Sequence, residues 1–118
     1  MTHIRHWRTI HLGAVIVETP IFTRQVLSLL SDDEHRRLQV VLANRPTAGS
    51  LVKGSGGLRK IRWAREGRGK RGGVRVIYYW AATYQRLLML LIYSKSERDD
   101  LRPEQLRSLR KTVAEEFS

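Results

Sequence analysis

Three consecutive segments of strand-like composition constrain the fold more than any other feature of this 118-residue chain. They span residues 58–64, 74–81 and 86–94 and are rich in β-branched and aromatic side chains. A basic, glycine-rich segment connects the first two, and residues 82–85 connect the last two. Because short connections join antiparallel strands, the pattern predicts a three-stranded antiparallel meander.

The segment before the meander predicts one strand and two helices. Residues 14–18 form a short apolar strand candidate, and Thr19-Pro20 then indicates a helix start, since proline is favoured at the first helical position. Residues 31–34, Ser-Asp-Asp-Glu, have the spacing of a capping box and predict a second helix that Asn44-Arg45-Pro46 ends. Two adjacent short helices predict a helical hairpin.

A further helix is expected to begin at Pro103, and its apolar side chains recur at helical spacing: Leu106, Leu109, Val113 and Phe117. The order β, α, α, β, β, β, α predicts an α+β fold. We expect a compact antiparallel sheet packed on one face against the N-terminal helical hairpin and the C-terminal helix. The length suits one domain, assigned to residues 14–118, and residues 1–13 are expected to form a flexible N-terminal extension.

Positive charge is concentrated in one part of the chain. The net charge is +11, and residues 53–75 contribute +8 of it, with nine lysines and arginines against one glutamate. Seven of the nine glycines lie in the same segment. A strongly basic protein favours a polyanionic partner such as nucleic acid, a membrane surface or an acidic protein. The clustering beside glycines and between strands favours a phosphate-binding surface over a solvated charge run.

Several classes of protein are disfavoured. The chain has no cysteine, which excludes disulfides, thiolate metal sites and cysteine nucleophiles. The longest apolar run is too short for a membrane span, which needs roughly 18 to 20 residues. The charge lies on strands and a loop rather than on an amphipathic helix, which argues against a membrane partner. The N-terminus lacks signal-peptide features, so a cytoplasmic protein is expected.

Strand alternation separates core positions from surface positions. Lys60 and Arg62 point to one face of the first meander strand and Ile61 and Trp63 to the other. Two neighbouring cations are costly to bury, so their face must meet water or an anion.

The same alternation applies to the other two meander strands. Arg75 points away from the apolar side chains of its own strand. In the last strand Met89, Leu91, Tyr93 and Lys95 are predicted to share a face, so that Tyr93 and Lys95 emerge together. Antiparallel pairing would gather four cations around one concave patch: Lys60, Arg62, Arg75 and Lys95.

Three ordered blocks carry a resemblance to a known family: GSGGLRKIRWA (residues 54–64), GRGKRGGVRVIYY (67–79) and IYSKSERDDL (92–101). Together with ETPIFT (18–23) and LSDDE (30–34), they resemble the HigB-like branch of the RelE/ParE toxin superfamily. The resemblance covers residues 15–117. It implies the toxin of a type II toxin–antitoxin system, an endoribonuclease that cleaves messenger RNA (mRNA) in the A site of the 30S ribosomal subunit.

The resemblance also implies a cognate antitoxin, expected to be a helix-turn-helix DNA-binding protein that neutralises the toxin. No cofactor and no metal are expected.

In metal-independent cleavage the ribose 2′-hydroxyl attacks its own phosphate, which requires a proton acceptor, a stabiliser of charge on phosphorus and a proton donor to the leaving oxygen. Outside residues 1–13 only His35 is available as a histidine, and it is interpreted as a surface residue. Proton transfer would then depend on lysine or tyrosine.

Residue roles follow from the resemblance. Lys60 would accept a proton, Arg62 would contact phosphate and Arg75 would stabilise the transition state. Lys95 or Arg98 would assist the leaving group. Tyr93 would substitute for a tyrosine that the family carries near its C-terminal end, since no tyrosine follows it here. Further contacts to RNA or the ribosome are assigned to Arg59, Arg68, Lys70, Arg71 and Arg98.

Two other functions fit the same charge. A toxin of the ParE side of the superfamily would inhibit DNA gyrase by binding, without nuclease activity. A plain RNA- or DNA-binding module would use the basic hairpin as a phosphate grip. The cationic pair at Lys60 and Arg62, followed by Arg75, favours the nuclease. The aromatic residues fall on predicted core faces, whereas RNA-recognition modules expose aromatic residues for base stacking.

Overall fold

The computed structural model describes residues 7–65, 73–97 and 100–117. These residues form one six-stranded sheet and three α-helices. The strands are β1 (Arg8–Leu12), β2 (Ala14–Glu18), β3 (Ser50–Leu51), β4 (Arg59–Trp63), β5 (Val74–Ala81) and β6 (Arg86–Ser94). The helices are α1 (Pro20–Leu29), α2 (Asp32–Asn44) and α3 (Pro103–Glu116). The α+β class and the central meander are confirmed.

The sheet is mixed rather than purely antiparallel. Its strand order is β1-β2-β6-β5-β4-β3, and β2 pairs with β6 in parallel, while the other neighbours are antiparallel. The expectation of an antiparallel sheet was wrong at this one pairing. The chain between β2 and β6 includes the helical hairpin and most of the meander, which is long enough to return the chain to the same direction.

The expected flexible N-terminal extension was wrong for residues 8–12. They form β1, which pairs with β2 from Arg8↔Glu18 to Leu12↔Ala14. Gly13, at φ +91°, provides the tight reversal between the two strands. Only Ile10 and Leu12 of β1 pack against the core, so alternation in this stretch is too weak to identify a strand. Residues 1–6 lie outside the described part of the chain.

The helix starts follow the predicted capping chemistry. Thr19 Oγ1 accepts a hydrogen bond from the amide of Phe22 at 3.1 Å. Ser31 and Glu34 form the reciprocal capping box: the Ser31 amide donates to Glu34 Oε1 at 2.8 Å, and the Glu34 amide donates to Ser31 Oγ at 3.1 Å. No helix among the described residues combines the length and the apolar character needed to cross a bilayer.

Helices cover both faces of the sheet, which corrects the expectation of one covered face. Helices α1 and α2 pack over a first apolar cluster that contains Val76 and Tyr78, and α3 packs over a second that contains Ile77 and Leu88. Adjacent residues Val76 and Ile77 are both almost fully buried. A strand that is apolar on both faces needs cover on both.

A β-bulge changes the side-chain directions in β6. Ile77 pairs with Leu91 and Tyr78 pairs with Met89, so Leu90 is an extra residue. Met89 lies in the first cluster, whereas Leu90 and Leu91 contact the second. The prediction that Met89 and Leu91 share a face was therefore wrong, because strict alternation contains no bulge.

Candidate active site

Strand register places four of the five predicted catalytic side chains on one face of the sheet. Arg75 pairs with Arg62 of β4 on one side and with Tyr93 of β6 on the other. Lys60 pairs with Ile77, two residues further along the same face. Directly opposed residues on neighbouring strands have Cβ atoms about 4.5–5.5 Å apart. The face with Lys60, Arg62 and Arg75 is called the cationic face below.

Lys95 joins this face just beyond the end of β6. Its amide donates to the carbonyl oxygen of Gly73 at 3.1 Å, which fixes the turn after β6 against the start of β5. A cleft of about 380 Å³ opens here, lined by Arg62, Trp63, Ala64, Gly73, Arg75 and Lys95. The structure thus brings together three of the four cations that the sequence predicted to converge.

The fourth cation lines an adjoining cleft. Lys60 and Arg62, with Ser50 and Ile61, border a space of about 320 Å³ near β3. Arg62 borders both clefts. The cationic face is therefore continuous from Lys60 to Lys95 through the row that Arg62 and Arg75 form.

The opposition of Arg62 and Arg75 has an electrostatic cost. Like charges directly across a strand pair destabilise a sheet, and Arg75 is only 6% exposed. Both guanidinium-bearing side chains nevertheless border the cleft. An anion bound between two such groups would offset their repulsion and form charge-assisted hydrogen bonds with each. The arrangement favours a phosphate-sized anion.

A carboxylate that the sequence analysis missed lies at this face. Lys60 Nζ donates to Asp100 Oδ1 at 2.7 Å, and the Asp100 side chain is 76% exposed. The hydrogen bond and charge of Lys60, followed by the charges of Arg62 and Arg75, hold the pKa of Asp100 below its usual range. Asp100 is therefore ionised at neutral pH.

Asp100 lies outside the basic segment, 40 residues after Lys60, between β6 and α3. It does belong to the third block of the resemblance, residues 92–101. Contact across that separation depends on the sheet register and on the path of the loop that enters α3.

Tyr93 lies on the same face of the sheet as Arg75. Among the described residues, it is not part of the lining of the cleft that Arg62, Arg75 and Lys95 border. It is 4% exposed and packs in the second apolar cluster with Leu90 and Val113. It pairs with Arg75 in the strand register. The structure thus places Tyr93 among core residues that support the cationic face.

Arg59 lies on the opposite face from the other assigned cations. It pairs with Tyr78, and its Nη1 donates to the carbonyl oxygen of Gly49 at 2.8 Å. Strand alternation puts it on the side of Ile61, so it anchors the loop before β3 instead of lining the cleft. Four other predicted contacts lie outside the described residues: Arg68, Lys70, Arg71 and Arg98.

His35 is not the surface residue that the sequence suggested. Its side chain is 13% exposed, and Nε2 lies 2.6 Å from Glu18 Oε2. Helix α2 packs against the first cluster, on the other side of the sheet from the cationic face. The histidine therefore serves the packing of β2 against α2.

Comparison with protein families agrees with this architecture. The family model described as "RelE toxin of RelE / RelB toxin-antitoxin system" matches residues 38–118. This range contains β3 to β6, α3 and every residue that lines the two clefts of the cationic face. The match covers well over half of the chain, so the protein belongs to the RelE toxin family of toxin–antitoxin systems.

Proposed function

We propose that this toxin is an endoribonuclease that cleaves mRNA in the ribosomal A site without a metal ion. The observation that carries the proposal is the opposition of Arg62 and Arg75 across two strands at the border of an open cleft. Two cations that face each other there favour a scissile phosphate between them. The assignment to the HigB-like branch belongs to the same proposal and rests on the quoted sequence blocks.

In the proposed reaction the 2′-oxygen bonds to phosphorus and the bond from phosphorus to the 5′-oxygen breaks. Arg62 and Arg75 stabilise the charge that accumulates on the phosphate oxygens. Lys95, which borders the same cleft, donates a proton to the leaving 5′-oxygen. The products are a 2′,3′-cyclic phosphate and a 5′-hydroxyl.

The proton of the 2′-hydroxyl goes to Asp100 in this scheme. The sequence analysis assigned that step to Lys60, but the ammonium group of Lys60 donates a hydrogen bond to Asp100. The carboxylate is thus the proton acceptor of the pair, and Lys60 positions it. Tyr93 is buried, and we assign it no proton transfer.

A cognate antitoxin would neutralise the toxin by covering this surface. Charge complementarity requires acidic side chains opposite Arg62, Arg75 and Lys95. Such a partner would compete directly with RNA phosphate. A helix-turn-helix protein expressed with the toxin is the expected antitoxin.

Primer extension on a defined messenger, with and without ribosomes, tests the proposal. We expect cuts by the wild-type protein that require ribosomes and that disappear in Arg62→Ala and Arg75→Ala. Arg62 is exposed, so its variant is expected to fold, and a thermal melt checks the buried Arg75. Arg24→Ala, on the outer surface of α1, is the matched control and should cut normally.

An intact messenger under both conditions would overturn the ribonuclease assignment. Inhibition of gyrase supercoiling by the same preparation would then support a toxin of the ParE type. RNA binding without cleavage or gyrase inhibition would support a plain RNA-binding module.

A further inference from the structure

A third cleft, of about 560 Å³, lies between the glycine loop, residues 54–57, and helix α3. Its lining comes from Gly54, Ser55 and Gly56 of the loop and from Leu106, Arg107, Arg110, Lys111 and Ala114 of the helix. Helix α3 packs over the second apolar cluster, which includes Ile77, the cross-strand neighbour of Lys60. The glycine-loop cleft is therefore on the same side of the sheet as the cationic face.

Arg110 packs against the Tyr79 ring and lies close to the backbone of Gly56. Its Cζ lies 5.7 Å from the centroid of the Tyr79 ring, within cation–π range. A Cβ added to Gly56 would come within 2.7 Å of Arg110 Nε. Glycine at position 56, with φ +71°, allows this close approach. A guanidinium that is already oriented loses little freedom when it binds a ligand.

The other two cations of the cleft are exposed and crowd the same stretch of helix. Arg107 precedes Arg110 by three residues and Lys111 by four, spacings at which like charges destabilise a helix. Among the described residues, no carboxylate forms an ion pair with any of the three. A bound anion would relieve this repulsion.

The loop side of the cleft suits a phosphate. Gly54 and Gly56 are exposed, and both have positive φ values, +73° and +71°. Loops of this kind let the backbone approach a ligand closely, with amide groups directed at an anion. Planar guanidinium groups match phosphate geometry better than a single ammonium does.

We propose that the glycine-loop cleft binds RNA phosphate groups away from the bond that is cut, a proposal that rests on the ribonuclease assignment. The loop leads directly into β4, and the five-residue separation of Gly57 from Arg62 corresponds to roughly 16 Å at a rise of ~3.3 Å per residue. One RNA strand that follows β4 can therefore contact both the glycine-loop cleft and the cleft that Arg62 and Arg75 border. The phosphates belong either to the messenger beside the cut or to ribosomal RNA.

The test compares two double variants of equal charge. Arg107→Gln/Lys111→Gln changes exposed side chains of the cleft, and Arg24→Gln/Arg36→Gln changes exposed side chains of α1 and α2 on the other side of the sheet. The probes are a 2′-O-methyl RNA oligonucleotide long enough to reach both clefts, which cannot be cleaved, and empty ribosomes. Binding is measured by anisotropy and by sedimentation over a range of salt concentrations.

We expect the cleft variant to bind on the order of tenfold more weakly than the control variant. The slope of its log affinity against log salt concentration should be smaller in magnitude by about 1.4. Weaker binding of the oligonucleotide would identify messenger phosphates, and weaker binding of ribosomes alone would identify ribosomal RNA. Equal affinity of the two variants for both probes would overturn the proposal.

A loss of poly-glutamate binding without a loss of RNA binding would also overturn it, in favour of an acidic protein partner. These outcomes differ from failure of the ribonuclease assignment, which shows as an intact messenger with the wild-type protein. The binding measurement itself requires no cleavage.

Discussion

At the residue scale, the ion pair of Lys60 and Asp100 is assigned one step of the proposed chemistry, the transfer of the 2′-hydroxyl proton. It joins a cation predicted from strand alternation to a carboxylate from the loop before α3. The hydrogen bond and charge of Lys60, followed by the charges of Arg62 and Arg75, lower the pKa of this carboxylate and keep it ionised. The lowered pKa keeps Asp100 ionised beside a bound phosphate but also makes it a weaker base, so the proposed proton transfer depends on the position of Asp100 next to Lys60.

Asp100→Asn should therefore lower the rate of cleavage by a factor on the order of 10² to 10⁴, the usual contribution of general base catalysis. RNA affinity should not fall, since the substitution removes a negative charge from the cationic face. Single-turnover cleavage and oligonucleotide binding measure the two effects. Glu104→Gln, at an exposed position on α3, is the control. A variant that cleaves as fast as the wild-type protein would exclude Asp100 as the proton acceptor.

The residues of the active site were predictable from sequence to different degrees. Alternation put Lys60 and Arg62 on one face of their strand, and antiparallel pairing with the next strand added Arg75. Asp100 and the support that Tyr93 provides were not predictable, since both depend on contacts between distant segments. Arg59 was grouped with the predicted RNA contacts, whereas the structure puts it on the opposite face from Lys60, as alternation along β4 requires.

At the element scale, Glu18 connects β1, β2, α1 and α2. It is fully buried, and its carboxylate accepts hydrogen bonds from Arg8 at 2.9 Å and Thr23 at 3.0 Å, with His35 at 2.6 Å. Burial would raise its pKa, but the hydrogen bond and charge of His35, the charge of Arg8 and the bond from Thr23 outweigh burial and lower it.

A carboxyl group with a lowered pKa stabilises the fold at pH values above its ordinary pKa of about 4.5. That stability is lost as the pH falls through the pKa of the folded state. Glu18→Gln should lower the free energy of unfolding at neutral pH by about 1–3 kcal/mol and flatten its dependence on pH below 4.5. Urea denaturation at several pH values measures both. An unchanged acid dependence would show that Glu18 is not the responsible group.

Tyr78 provides a second element-scale prediction, on the first cluster. Its hydroxyl donates to the carbonyl oxygen of Pro46 at 2.7 Å and accepts from the amide of Gly49 at 2.8 Å, which fixes the loop between α2 and β3. Tyr78→Phe should cost about 1–3 kcal/mol, because it leaves buried backbone groups without a partner. Chemical denaturation measures the loss. Tyr84→Phe, at an exposed position, should change little.

The elements themselves were largely predictable, because helix caps and β-branched runs are local signals. β5 and β6 begin and end where the sequence indicated, and both N-terminal helices start at their predicted caps. The pairing of β1, the parallel contact of β2 with β6 and the bulge at Leu90 were missed. Each of these is set by tertiary packing and leaves no repeating pattern in the chain.

At the scale of the whole molecule, the net charge of +11 predicts RNA binding that depends strongly on salt. Each phosphate contact to a single strand contributes a slope of about −0.7 in a plot of log affinity against log salt. Four contacts by Lys60, Arg62, Arg75 and Lys95 would give about −3. Lys95→Gln should reduce the slope by about 0.7, whereas Arg24→Gln should leave it unchanged. A Lys95 variant with the wild-type slope would show that Lys95 does not contact phosphate.

The most direct measurement is the chemistry of the RNA ends that the wild-type protein produces from a ribosome-bound messenger. Mass spectrometry of the fragments should show a 2′,3′-cyclic phosphate on the upstream end and a 5′-hydroxyl on the downstream end. That result requires attack by the neighbouring 2′-hydroxyl, as a site built from Arg62, Arg75, Lys95 and Asp100 would support. Fragments that carry a 3′-hydroxyl and a 5′-phosphate would contradict the account, because they require water as the nucleophile.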